Sequence, residues 1–189
     1  AIITDSCSNL STHNIDEQNF DIIPLVYIVN GQQFVCENVL EFDSEKYFTD
    51  MDNGADVSSS QIVPDRYIEV FSKYLDKGLD IIFIGIAGGV SGSMASAAIA
   101  TEQLKENYPD RTIRLVDSLG SSFGIAMVVN KAFEKRKEGL TVDENADYLL
   151  QYRMRIYQIF TVANLKYFLK TGRISNSTAL IGTLLNIKP

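Results

Sequence analysis

The sequence predicts an α/β fold: a parallel sheet covered by helices on both faces (an α/β/α sandwich), with one inserted β-hairpin. Three observations carry this. Leu79–Ala87 and Thr112–Val116 are near-continuous apolar runs of strand length, the pattern of strands buried on both faces. A helical segment follows each, Ser91–Asn107 and Phe123–Lys137. Asn30-Gly31 separates two strand-like runs and supplies the positive φ of a tight hairpin turn.

Taken in order, Ile2-Ile3-Thr4 is a short strand ending in the polar turn Asp5–Asn9. Ile22–Val29 and Gln32–Cys36 form the expected hairpin, and Asp43–Met51 a short helix. Asp52–Gln61 reads as a polar loop. Pro64 suits the first position of a helix running to about Asp76, with Gly78 as its stop. Gly139 ends the helix after the second apolar strand. Thr141-Val142-Asp143-Glu144 has the capping-box pattern, opening a helix to about Met154. Ile156–Val162 reads as another strand. Leu165–Lys170 is expected to be helical and stopped by Gly172, and Ser177–Leu185 forms the last turns.

Bulk properties narrow the function. The chain has 189 residues and a formal net charge of −7, so no basic stripe exists to neutralise nucleic-acid phosphates or an anionic membrane. Cys7 and Cys36 lack CxxC spacing, which fits a reducing cytosol. No run approaches the ~18 apolar residues of a membrane span.

In doubly wound sheets, ligands sit at the carboxyl ends of strands. Four polar clusters fall there or nearby: Thr4-Asp5-Ser6, Ser58-Ser59-Ser60-Gln61, Gly88–Ser93 and Asp117–Ser122. Asp, Ser and Gly also make ordinary turns and caps, so one such cluster alone means little. Gly88–Ser93 lacks both the GxGxxG spacing of a dinucleotide site and the lysine of a P-loop. A helix N-terminus with Ser91 and Ser93 suits a small anion such as a carboxylate better than a triphosphate. Gly120-Ser121-Ser122-Phe123-Gly124 matches G-x-S-x-G between strand and helix, the context of a hydrolase nucleophile. That chemistry needs a histidine after the serine, and the one histidine, His13, precedes it. Asp5 and Asp117 could share a Mg²⁺ across strand ends, although hydrogen bonding within their own turns is the simpler role. No His/Cys cluster has zinc-ligand spacing. Arg173, between a glycine and the hydroxyls of Thr171 and Ser175, is a cation that could reach a carboxylate or phosphate.

These clusters, in this order, resemble the DegV family. The matching stretches are Ile3-Thr4-Asp5-Ser6, Ser59-Ser60-Gln61, Ser91-Gly92-Ser93-Met94-Ala95-Ser96-Ala97, Val116-Asp117-Ser118 and Leu169-Lys170-Thr171-Gly172-Arg173-Ile174-Ser175. The resemblance implies a fatty-acid-binding protein of the bacterial cytoplasm, with the acyl chain in an apolar tunnel between two domains. It implies no catalytic residue, no metal and no cofactor beyond the bound fatty acid. The expected partners are a long-chain fatty acid and a separate ATP-dependent fatty acid kinase, which converts the presented carboxylate to an acyl phosphate.

Carried onto this chain, Ser91, Ser93 and the Gly92 backbone hold the carboxylate, and Ser59 adds a hydroxyl. Arg173 sits near the head group or the partner surface, and Asp5, Ser6, Asp117 and Ser118 support the strand ends. The family loop usually reads Thr-Ser-Gln-Pro-Ser; Ser59-Ser60-Gln61-Ile62-Val63 keeps the hydroxyl and loses the proline. The family's histidine in the C-terminal domain has no counterpart here. Family members run beyond Pro189. The expectation is therefore an N-terminal domain over 1–165 and the truncated opening of a C-terminal lipid-binding domain over 166–189. The competing expectation is an enzyme: a serine acyl hydrolase at Ser122, or another α/β enzyme that processes small anions.

Overall fold

The computed structural model describes residues 1–11, 15, 17–36, 40–162, 168–169 and 171–174. The chain divides into two compact units, Ala1–Ile156 and Tyr157–Pro189.

The first unit is built on a four-stranded parallel sheet. Its strands are β1 (Ile2–Asp5), β2 (Phe20–Ile23), β6 (Ile81–Gly85) and β7 (Ile113–Asp117), in the order β2-β1-β6-β7. Alternate residues of β6 serve opposite faces. Ile81 and Phe83 pack with α2 (Pro64–Leu75) and α3 (Ser93–Asn107), whereas Ile82 and Ile84 pack with α4 (Phe123–Lys137) and α5 (Val142–Tyr152). All five β6 residues are buried, which is why this strand is apolar without alternation. On the α2 side, Tyr67, Phe71 and Phe83 form a ring cluster, with Tyr67 and Phe83 edge-to-face at 5.1 Å. On the other side Phe20 meets Phe133 at 5.2 Å. Buried side chains of this size each contribute about 1.5–3 kcal/mol.

Local chemistry sets several boundaries where the sequence places them. Pro64 opens α2, and Asn30 and Gly31 take φ of 51° and 81° in the hairpin between β3 (Val26–Val29) and β4 (Gln32–Val35). The capping box of α5 is complete, with Glu144 N–H on Thr141 Oγ1 (3.3 Å) and Thr141 N–H on Glu144 Oε2 (2.9 Å). Asp43 caps the short helix α1 (Ser44–Asp52) by accepting from Lys46 N.

Three expectations need correction. Ile22–Val29 is not one strand: β2 ends at Ile23 and β3 begins at Val26, across Pro24, which has no N–H to give a ladder. The first piece joins the parallel sheet and the second a separate one. Asp52–Gln61 is not all loop, because β5 (Val57–Ser60) pairs antiparallel with β3 and turns the hairpin into a three-stranded sheet, β4-β3-β5. Finally, 156–162 carries no strand. Ile159 and Phe160 are exposed there, since an apolar run becomes a strand only beside a ladder partner. Of the helix expected over Leu165–Lys170, residues 168 and 169 are helical and the others lie outside the described residues, as does Ser177–Leu185. Gly172, at φ 73°, takes the left-handed conformation expected of a stop.

Candidate functional site

The chain leaves β1 toward β2 on one side and later returns as β6 on the other. The order therefore reverses between β1 and β6, the kind of point at whose carboxyl ends doubly wound sheets take their ligands. Asp5, Gly85 and Asp117 end the three adjacent strands, with Gly85 in register with Asp117.

The two acids are engaged by backbone. Asp5 is fully buried; its Oδ1 accepts from Cys7 N (3.0 Å) and its Oδ2 from Ile86 N (2.9 Å), stitching β1 to the loop after β6. Burial pushes its carboxyl from the ordinary 3.8 up to about 6, against the pull of those N–H groups. Asp117 Oδ1 accepts from Leu119 N (2.8 Å) and Oδ2 from Gly88 N (3.0 Å), so it holds the neighbouring loop in the same way. A Cβ at Gly88 would stand 3.0 Å from that Oδ2. Ser6 Oγ accepts from Leu25 N (2.9 Å) and buried Ser118 folds back on Gly120. Among the described residues, no group of three or more His, Cys, Asp or Glu is placed to hold a metal ion.

The hydroxyls at the start of α3 behave differently. Ser93 N donates to Ser91 Oγ (3.3 Å), Ser91 Oγ donates to Ser93 Oγ (3.0 Å), and Ile62 N donates to Ser93 Oγ (3.2 Å). The two backbone N–H groups can only donate, so each serine oxygen accepts at least once. Ser93, accepting twice, keeps its own O–H to give away. No acidic residue lies in the first turn of α3, so nothing there opposes the positive end of the helix dipole. Ser91 is partly accessible and Gly92 exposed, while Ser93 is buried beneath them.

The other sequence candidates have different surroundings. Ser59 is exposed on β5, opposite Tyr27, and only the chain just beyond it, at Ile62, reaches Ser93. Arg173 belongs to the second unit, where its Nη1 donates to Thr171 O (2.6 Å). Ser122 takes the strained conformation φ 53°, ψ −127° at the start of α4, and its Oγ accepts from Asn9 Nδ2 (2.9 Å). An amide cannot take up a proton, so this contact does not activate the serine. His13 lies outside the described residues.

Two further contributors carry no role in the sequence reading: Gln61, present there only as part of the Ser58–Gln61 cluster, and Tyr67. Gln61 folds over Gly92, where a Cβ would meet its Oε1 at 1.9 Å, and its Nε2 reaches Ser96 Oγ (3.3 Å). The buried Tyr67 hydroxyl is near enough to the Ser93 hydroxyl to interact with it. Only the bare glycine hints at the first; nothing local signals the second.

The family model described as "Uncharacterised protein, DegV family" matches residues 1–189. The chain belongs to the DegV family. A DegV domain-containing protein of Clostridium perfringens is 29% identical over 188 residues, covering 100% of this chain and 65% of the relative. Among solved structures, a fatty-acid-binding DegV family protein of Thermus thermophilus superposes with TM-score 0.83 at 28% identity, covering 100% of this chain and 65% of that one. The fatty acid kinase (Fak) B3 protein of Streptococcus pneumoniae, loaded with linoleic acid, gives TM-score 0.83 at 29% identity, covering 99% and 66%. This DegV chain thus spans about 65% of the length of the relatives it matches. No helix among the described residues is long and apolar enough to cross a membrane.

Proposed function

We propose that this chain binds a long-chain fatty acid, holds its carboxylate at Ser91, Gly92 and Ser93, and presents it to a separate ATP-dependent kinase for acyl-phosphate formation. The observation that carries the reading is the hydroxyl chain at α3: Ser93 accepts from Ile62 N and Ser91 Oγ and retains one O–H for an acceptor. A carboxylate is acceptor-only and matches this supply, and the helix N-terminus favours its charge. The fatty acids carried by the Thermus thermophilus and Streptococcus pneumoniae proteins support the choice of acid. Ser59 and Arg173 enter by resemblance alone.

In this reading the energies divide by part of the ligand. Each buried CH₂ contributes about 0.8 kcal/mol, so the acyl chain supplies most of the affinity. Hydroxyls supply orientation without the grip of a fixed cation, which leaves the carboxylate free to be handed over. Gly88–Ser93 has no lysine to cradle ATP phosphates, so phosphoryl transfer falls to the partner.

Native mass spectrometry and calorimetry with stearic acid and stearyl alcohol test this. Ser93→Ala should weaken acid binding about tenfold or more, the value of a hydrogen bond to a charged group, and alcohol binding less. Equal losses would remove the carboxylate role. The competing hydrolase reading draws on the strained backbone of Ser122. A chain that retains no acid but cleaves p-nitrophenyl esters, with the activity lost in Ser122→Ala, would favour it.

A further inference from the structure

Tyr67 is fully buried on α2, in ring contact with Phe71 and Phe83, and its hydroxyl has no hydrogen-bond partner among the described residues. The hydroxyl lies beside the Ser93 hydroxyl without completing a bond to it. Burial raises the phenol well above its usual range, so it stays protonated and is a donor. Asp5 is within electrostatic reach, but its oxygens are taken by Cys7 N and Ile86 N. A buried unpartnered hydroxyl destabilises the protein that carries it, so its position calls for an occupant or a change of state.

Lone-pair counting supplies one. A serine oxygen accepts two hydrogen bonds, and on Ser93 both places are filled, by Ile62 N at 3.2 Å and Ser91 Oγ at 3.0 Å. Tyr67 is shut out by Ser91. We propose that Tyr67 is a positioning residue for carboxylate recognition: when Ser91 turns its O–H to a bound carboxylate, the Tyr67 O–H takes the vacated place on Ser93 Oγ. Ser91 and Ser93 then both donate to the ligand, Ser93 still accepts twice, and the orphan phenol is satisfied only in the bound state. Tyr67 never needs to touch the ligand, which agrees with its full burial. The inference rests on the carboxylate reading above.

The test is calorimetric titration of the full chain with stearic acid and with stearyl alcohol. It compares the wild type, Tyr67→Phe, Ser91→Ala and the double variant. Tyr67→Phe should weaken acid binding about fivefold, the scale of one hydrogen bond, and leave alcohol binding within about twofold. In the Ser91→Ala background the same change should alter acid binding by less than about twofold, because Ser93 is then open to Tyr67 with or without ligand. Tyr67→Phe should also melt at or above the wild-type temperature, since it deletes an unpartnered group. Unchanged acid affinity in Tyr67→Phe, an equal loss in both backgrounds, or a lowered melting temperature would each overturn the inference. A wild-type chain that binds no stearic acid overturns the proposed function, and this inference with it.

Discussion

The acids at the strand ends and the hydroxyls at the start of α3 lie in loops that follow neighbouring strands, yet they do opposite work. Asp5 and Asp117 each accept two backbone N–H groups, one from their own turn and one from the loop after β6, which uses their capacity to hold the fold. Ser91 and Ser93 are arranged in a donor chain that ends in an unassigned O–H. The charged groups hold the loops, and in the proposed function the neutral ones meet the ligand. Physically this is economical: a fixed carboxylate beside a ligand carboxylate would repel it unless engaged elsewhere.

Removing the deepest acid should have the largest effect. Asp5→Ala strands two N–H groups, those of Cys7 and Ile86, at a buried site. At pH 5 we expect a loss of about 2–4 kcal/mol in urea unfolding, from the cost of unsatisfied donors. Ser93→Ala strands Ile62 N and releases the partly accessible Ser91 O–H, which water can serve, and should cost about 1–2 kcal/mol while affecting acid binding far more. Similar losses of stability and similar losses of binding in the two variants would erase the contrast.

The same carboxyl sharpens the comparison through pH. Its folded value of about 6 lies above the ordinary 3.8, so the folded protein binds this proton more tightly than the unfolded chain. The stabilisation is complete at low pH and is lost as pH rises through about 6. Between pH 7 and pH 5 the wild type should therefore gain about 1 kcal/mol relative to Asp5→Asn, which has no such proton. An advantage over Asp5→Asn that stays constant across that interval would mean that Asp5 titrates alike in both states.

How much of this is legible in the sequence follows from the range of each interaction. The Asn30-Gly31 turn, Pro64 at the start of α2 and the Thr141/Glu144 box are short-range chemistry, and each appears where expected. The run Val57–Ser60 shows one apolar residue among three serines, so its strand character comes from the open edge of β3 and not from itself. Ile156–Val162 is the converse, apolar enough for a strand but without a ladder. At the site, Ser91 and Ser93 are visible as hydroxyls preceding a helix. The approach of Gln61 to Gly92 and of Tyr67 to Ser93 is not, because each joins segments far apart in the chain.

The smallest expected effect is the most pointed test. Asp117 sits at the rim, and one of the groups it holds, Gly88 N, belongs to an exposed residue that water can serve instead. Asp117→Asn keeps one acceptor oxygen for Leu119 N and gives up the other bond, so stability should fall by about 1 kcal/mol or less. Because Gly88 and Ser91 lie in the same loop, a slackened Gly88 could still reach the hydroxyl chain. Ser91 N, however, is separately tied to Ala87 O (3.2 Å), and Ser93 to Ile62 N, so the serines keep their places. Stearic acid affinity should then stay within about twofold of wild type, less than the worth of a single hydrogen bond. A tenfold loss of acid binding at unchanged stability would move Asp117 from scaffold to site and show that the acids and the hydroxyls act on the ligand together.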